Sequence, residues 1–142
     1  MNLINLRIPA NADFIGIVRL CLYGIASKMG FSYEDIEDMK VAASEACNNA
    51  VLHVLMEEQN DFIEVTFEVE DNGLSIKIKD NGPGFNYPDA LNKASSLREM
   101  EISQLRTGGL GIYLMQALMD EVEINTASGT EVKLIKYMSA KT

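Results

Sequence analysis

The chain alternates between segments with a two-residue hydrophobic repeat and segments with a helical repeat. Apolar residues occupy every second position in residues 3–8, 63–69 and 74–78, which predicts three strands. Between the second and third strands stands Asp71-Asn72-Gly73, and an Asn-Gly pair is typical of a tight hairpin. We therefore expect these two strands to pair antiparallel.

Two helices are predicted between the first strand and the hairpin. Asp13 is the expected N-cap of the first helix, which runs to about Met29 and stops at Gly30. Ser32 is the expected N-cap of the second, with Asp35 three residues on in the pattern of a capping box. Apolar residues at helical spacing predict the buried stripe of the second helix: Ile36, Met39, Ala43, Ala46, Cys47, Ala50 and Val54.

The pattern weakens after the hairpin and returns near residue 110. A short helix is expected at 89–94, and the rest of 87–106 has the length of a functional lid. A third helix is predicted over 110–119, and its apolar positions are Leu110, Leu114, Ala117 and Leu118. A second hairpin follows, with strands at 122–125 and 131–137.

This order of elements predicts a fold class. Strands come in antiparallel pairs and helices stand between the pairs, so the simplest architecture is a two-layer α/β (α+β) sandwich. Its sheet is expected to be mixed and largely antiparallel, with all helices on one face. At 142 residues, the length fits one domain, 1–142, with a single core.

Composition argues against several classes of function. Lys and Arg number 12 against 21 Asp and Glu, a net charge of −9 without a basic stripe, so direct nucleic-acid binding is not expected. An acidic surface suits a basic protein partner, and equally suits solubility.

No apolar run approaches the ~20 residues of a membrane span, and the N-terminus lacks a secretory signal, so we expect no membrane association and a cytoplasmic location. One histidine and two cysteines are too few for a zinc site, and Cys21 and Cys47 are expected to be small buried apolar residues.

Polar residues on the second helix and at a strand end are candidates for chemistry. Glu45 and Asn49 lie one turn apart, about 40° around the helix, beside the buried stripe. Mg²⁺ takes only one or two protein oxygens besides phosphates, and a nearby carboxylate can accept a proton. Asp80 ends a buried strand, where a carboxylate needs a donor such as the amine of adenine. The alternatives are a solvated helix face for the pair and a plain turn residue for Asp80.

Two glycine-rich stretches complete the candidates. Gly82 and Gly84 flank Pro83 directly after a strand, which lets the backbone approach a ligand closely. The stretch 107–111 leads into a helix N-terminus, whose free amides favour a phosphate. Neither stretch matches the Walker motif or the dinucleotide fingerprint, and each could be an ordinary turn.

Taken in this order, the motifs resemble those of the Bergerat-fold ATPases: Glu-x-x-x-Asn on a helix, Asp-x-Gly-x-Gly after a strand, and Gly-x-Gly before a later helix. That superfamily includes gyrase, mismatch-repair and chaperone ATPases and sensor histidine kinases, and the resemblance covers essentially the whole chain. It implies that Glu45 is the catalytic base, that Asn49 binds Mg²⁺ and that Asp80 reads the adenine of ATP or ADP. It also implies further nucleotide-binding residues: Gly82, Gly84, Thr107, Gly108, Gly109, Leu110, Gly111 and Thr130.

Several segments are similar, more narrowly, to the bacterial anti-sigma-factor serine/threonine kinases of the general stress branch. The segments that carry this similarity are 7–10, 36–40, 44–53, 109–115 and 119–122. The resemblance implies that the chain sequesters an alternative sigma factor, phosphorylates an anti-anti-sigma factor on Ser or Thr with Mg-ATP, and forms a homodimer. It further implies partner contacts from the first helix, for which Arg19 is our candidate.

Two features depart from that pattern, and two alternative functions stay open. Some relatives carry a phosphate-contacting Arg where this chain has Thr107, and Arg106 is one residue too early for us to assign it a phosphate. The lid, 87–106, has no clear motif. One alternative is a module that binds ATP as a structural ligand, against which Glu45 argues because a pure binder needs no base. The other is a switch kinase of the same family that holds no sigma factor.

Overall fold

The computed structural model describes residues 2–56, 62–80, 110–126 and 130–139, with the side chains of 53–56 left out. Its strands are β1 Asn2–Pro9, β2 Phe62–Glu70, β3 Gly73–Asp80, β4 Glu121–Asn125 and β5 Glu131–Tyr137. Its helices are α1 Ile15–Met29, α2 Tyr33–Met56 and α3 Leu110–Leu118, with a 3₁₀ turn at Ala12–Phe14. The predicted order of elements is confirmed, while the expected helix at 89–94 and the lid lie outside the described residues.

The five strands form one sheet in the order β1-β2-β3-β5-β4. Each neighbouring pair is antiparallel. Glu70 pairs with Gly73, so the predicted β2–β3 hairpin is present, with Asp71 and Asn72 as its two turn residues. The second predicted hairpin is also present, with Asn125 of β4 opposite Glu131 of β5.

The helices cover one face of this sheet and so form a two-layer sandwich, as predicted. α2 packs against β3, and both α1 and α3 pack against α2. Alternate residues of β2 and β3 face the helices and are buried: Ile63, Val65, Phe67, Leu74, Ile76 and Ile78. The opposite face of the same strands carries polar side chains, among them Glu64, Thr66 and Lys77. Burial of the apolar face at about 25 cal/mol per Å² is what holds the helices to the sheet.

The helix ends follow local side-chain chemistry, with one difference from prediction. Asn11 caps the turn before α1, because its side chain accepts a hydrogen bond from the Asp13 N–H at 2.9 Å. The expectation that Asp13 is the cap was therefore wrong by two residues, since the chain enters α1 through a 3₁₀ turn. α1 ends at Gly30, whose φ of 96° is the left-handed conformation that glycine adopts without strain. Ser32 caps α2 as predicted, with its Oγ accepting from the Asp35 N–H at 3.1 Å.

α2 buries the predicted stripe at every position whose side chain is described, from Ile36 to Ala50. Cys47 is part of this core, and burial raises the pKa of its thiol to about 12, so the thiol is neutral and packs as an apolar group. Cys21 is half-buried. Within the described part of the chain, no helix combines the length and the apolar character that crossing a membrane requires.

The most deeply buried residues of α3 are not among the four apolar positions noted from the sequence. Leu110 is 48% exposed and Ala117 is also exposed, whereas Gly111, Ile112 and Met115 are buried. The helix is apolar nearly all the way round, so periodicity alone gave no basis for choosing its inward side. Packing against α2 selects the side that carries Gly111, because a residue without a side chain permits the closest approach of two helices.

Candidate functional site

The first part of the site is the contact between α2 and the start of α3. Glu45 and Asn49 lie on successive turns of α2 and face Gly111. A Cβ atom placed on Gly111 would lie 3.2 Å from Asn49 Nδ2 and 3.3 Å from Glu45 Oε2. Such distances are tighter than nearly all Cβ contacts in proteins. Three residues singled out from the sequence, more than 60 positions apart at the extremes, therefore lie so close together that a side chain at Gly111 would be crowded.

Asn49 is the unusual polar group in this contact. It is 5% exposed, and its Nδ2 is buried without a hydrogen-bond partner among the described residues. Leaving a buried donor unpaired costs about 1–3 kcal/mol, so such a group indicates a role beyond packing. A half-turn of the amide exchanges Nδ2 with Oδ1, so this position can offer either a donor to a phosphate or a carbonyl oxygen to a cation. The Asn49 amide therefore fits the role of a group that binds magnesium or a phosphate of a nucleotide.

The N-terminus of α3 adds positive potential at the same place. The first backbone N–H groups of a helix have no acceptor within the helix, and the helix dipole is positive there. Gly111 belongs to this first turn and touches Glu45 and Asn49. An anion bound at the start of α3 would therefore lie next to the amide of Asn49 and the carboxylate of Glu45.

The second part of the site is at the ends of the two central strands. Asp80, at the end of β3, is 1% exposed, and Thr130, just before β5, is 3% exposed. The Asp80 N–H donates to the Thr130 carbonyl oxygen at 3.1 Å, so the two residues are direct neighbours. Both take part in interactions within the protein. A buried carboxylate beside a buried hydroxyl can recognise a ligand by directional hydrogen bonds.

Chain topology puts both parts at the same end of the sandwich. Asp80 pairs with Ile63, near the start of β2, and β2 begins six positions after Met56, where α2 ends. Asp80 therefore lies at the end of the sheet towards which α2 runs. Asn49 is seven residues before Met56, which is about 10 Å along the helix axis.

The structure accounts for part of the predicted site. It brings Glu45 and Asn49 to Gly111, and it places Asp80 beside Thr130. Leu110 opens α3 with a half-exposed side chain. The remaining predicted positions lie outside the described residues: Gly82, Gly84, Thr107, Gly108 and Gly109.

One contact next to the site was not predicted. Arg19 Nη1 of α1 donates to Ser44 Oγ at 3.1 Å, and the Ser44 hydroxyl donates to the Lys40 carbonyl oxygen at 2.7 Å. Arg19, our candidate for partner contacts, thus reaches the residue immediately before Glu45. The sequence held no signal for this pairing, because the contact joins two helices that periodicity places independently.

Comparison with known proteins identifies the family of the chain. A family model described as a histidine kinase-like ATPase domain matches residues 8–136. The serine-protein kinase RsbW of Bacillus velezensis is 41% identical over 97% of this chain and 87% of its own length. RsbW of Bacillus subtilis is 39% identical over the same shares of both chains. A crystal structure of the RsbU and RsbW domains of Rv1364c from Mycobacterium tuberculosis matches all of this chain with a TM-score of 0.69 at 21% identity, and this chain spans 34% of that protein.

Proposed function

This chain belongs to the histidine kinase-like ATPase domain family, within its RsbW serine-protein kinase branch, and we propose that it is an anti-sigma factor that phosphorylates its own antagonist. It is a serine-protein kinase that binds an adenine nucleotide. It sequesters an alternative sigma factor of the stress response and releases it on binding an anti-anti-sigma factor. With Mg-ATP it phosphorylates that antagonist on Ser or Thr. Residues 1–142 act as one ATP-binding kinase domain in the cytoplasm.

The meeting of Gly111, Asn49 and Glu45 is the observation that carries this proposal. The three residues supply a helix N-terminus for an anion, an unpaired buried amide and a carboxylate. Phosphoryl transfer asks a protein for positioning of the phosphates, neutralisation of their charge and a base for the attacking hydroxyl. These three residues offer one group for each requirement.

Each residue has a distinct role in the proposed transfer. Asn49 holds Mg²⁺, for which one protein oxygen is enough because this ion keeps most of its waters. The ion, when bound, neutralises charge on the phosphates. Glu45 accepts the proton of the attacking Ser or Thr hydroxyl, and the start of α3, through Gly111, binds the phosphates with its amides. Asp80 accepts a hydrogen bond from the amine of adenine, and Thr130 lies beside it.

The remaining predicted nucleotide contacts belong to the same proposal. Gly82 and Gly84 shape the adenine pocket. Thr107, Gly108, Gly109 and Leu110 contribute to nucleotide binding. The protein acts as a homodimer, with Arg19 on α1 contributing to partner contacts. Its net charge of −9 favours encounter with a basic partner surface.

A transfer assay tests the function directly. The protein is incubated with labelled ATP, Mg²⁺ and a panel of small anti-sigma antagonists from the same genome. We expect label on a Ser or Thr of one antagonist, lost when EDTA removes the metal. We also expect the protein to retain a sigma factor in a pull-down until the unphosphorylated antagonist is added. Nucleotide binding without label on any antagonist would favour the ATP-binding module.

Replacing Asp80 tests adenine recognition. Asp80→Asn exchanges an acceptor for an amide that can present a donor to the adenine amine, so we expect ATP affinity to fall by about tenfold or more. GTP competition should change little. Asp71→Asn, the same change at an exposed position of the hairpin turn, is the matched control. An equal loss for ATP and GTP, together with a lower unfolding temperature, would point to misfolding and against the adenine role.

A further inference from the structure

Lys136 is a charged residue at a position that the strand pattern assigns to the core. On β5 the alternate residues Val132 and Leu134 face the helices and are buried, and Lys136 is next in that series. Its side chain is only 12% exposed. An ammonium group enclosed in this way is costly unless hydrogen bonds and a counter-charge compensate it.

The contacts of Lys136 join two helix ends. Its Nζ donates to the carbonyl oxygen of Leu118, the last residue of α3, at 2.7 Å. The same Nζ lies 3.9 Å from Oδ1 of Asp35, in the first turn of α2. A cation at a helix C-terminus and an anion in a first turn are both favoured by the helix dipoles. Lys136 therefore fastens the end of α3 to the start of α2, and both to the sheet.

α3 is consequently held against α2 at both of its ends. Gly111 touches Glu45 and Asn49, and Leu118 is linked through Lys136 to Asp35, so the two helices run antiparallel. A helix of nine residues is about 13 Å long, so a tilt of about 5° at Leu118 moves Gly111 by about 1 Å. A displacement of about 1 Å at a reacting centre can cost about 100-fold in rate.

We propose that Lys136 is a positioning residue for the phosphate end of the nucleotide site, acting through α3 without touching the nucleotide. The inference rests on the proposed function. A positioning role for Lys136 separates the contacts to the nucleotide into two groups. The adenine contacts at Asp80 and Thr130 belong to the sheet and do not depend on the tilt of α3. The phosphate contacts at the start of α3 depend on it.

This division gives a test on the full chain by calorimetry with ATP and with adenosine. Lys136→Met keeps the apolar stem and removes the ammonium, and we expect ATP affinity to fall about tenfold while adenosine affinity stays within about twofold. Lys136→Arg can still donate to the Leu118 carbonyl and should bind both ligands as the unchanged protein does. Lys133→Met, on the opposite face of the same strand, is the matched control and should alter neither affinity.

Two results would overturn the inference: unchanged ATP affinity in Lys136→Met, or equal losses for ATP and adenosine. Should Lys136→Met fail to fold, Asp35→Asn provides the test instead. In that variant the backbone N–H of residue 35 can still donate to the Ser32 hydroxyl that caps α2. We expect a loss of about threefold for ATP and none for adenosine in that variant, and unchanged ATP affinity would again overturn the inference. Failure of the proposed nucleotide site is distinguishable, since the unchanged protein would then bind neither ligand, and loss of the kinase role alone would show in the transfer assay and leave these affinities unaffected.

Discussion

Glu45→Gln is expected to reduce the turnover number for antagonist phosphorylation by about 10²–10⁴-fold, because the amide cannot accept the proton of the attacking hydroxyl. The substitution keeps the shape of the side chain, so its contact with Gly111 should persist. Affinity for ATP and retention of the sigma factor should therefore change little. Single-turnover transfer of labelled phosphate, with nucleotide binding measured in parallel, checks both halves of this expectation.

The matched control for this change is Glu34→Gln, at an exposed position in the first turn of the same helix. It removes one negative charge from α2 without approaching the site. We expect transfer at the rate of the unchanged protein. Normal turnover in Glu45→Gln would remove Glu45 from the role of base, and transfer would then have to rely on positioning and charge neutralisation alone.

Asn49→Ala is expected to lower Mg-ATP affinity by about 100-fold and to leave the fold at least as stable as before. The loss follows from removing the one amide assigned to Mg²⁺. The stability follows from the same atom, because Nδ2 is buried without a partner among the described residues and its removal relieves about 1 kcal/mol or more. Calorimetric titration with ATP in Mg²⁺, together with thermal unfolding of the ligand-free protein, measures both effects.

Asn48→Ala provides the comparison, since Asn48 is the adjacent residue and is exposed. We expect no change there in either measurement. The opposite signs of the two effects at Asn49 distinguish a functional residue from a structural one, for which affinity and stability fall together. ATP affinity equal to that of the unchanged protein, measured in Mg²⁺, would contradict the ligand assignment.

Local patterns predicted most of the fold. The two-residue repeats of β1, β2 and β3 and the stripe of α2 report which side faces the core, and both predicted hairpins are present. The buried face of α3 could not be predicted, because a helix that is apolar nearly all round owes its orientation to its neighbour. The entry into α1 was misplaced because Asn11 and Asp13 are both good capping residues, and only the backbone path distinguishes them.

The candidate site likewise has a part that the sequence predicted and a part that depends on packing. Spacing along one helix put Glu45 beside Asn49, and the strand end put Asp80 at a buried turn. The closeness of Gly111 to the pair could not be read from spacing, because it depends on two helices packing across more than 60 intervening residues. Lys136 has a weaker signal: a charged residue that continues the buried series Val132 and Leu134. Such a break in an alternating strand predicts a buried ion pair, although not its partner.

The missing side chain at Gly111 limits how this protein can diverge. In a tightly packed pair of helices, sequence changes are usually compensated, with a larger side chain on one helix accepted when its neighbour becomes smaller. At this seam the neighbours are Glu45 and Asn49, whose lengths are already fixed by their assigned chemistry. Such an exchange of side-chain volume is therefore not available here. We expect the contact between α2 and α3 at Gly111 to accept fewer substitutions over evolution than the rest of the core.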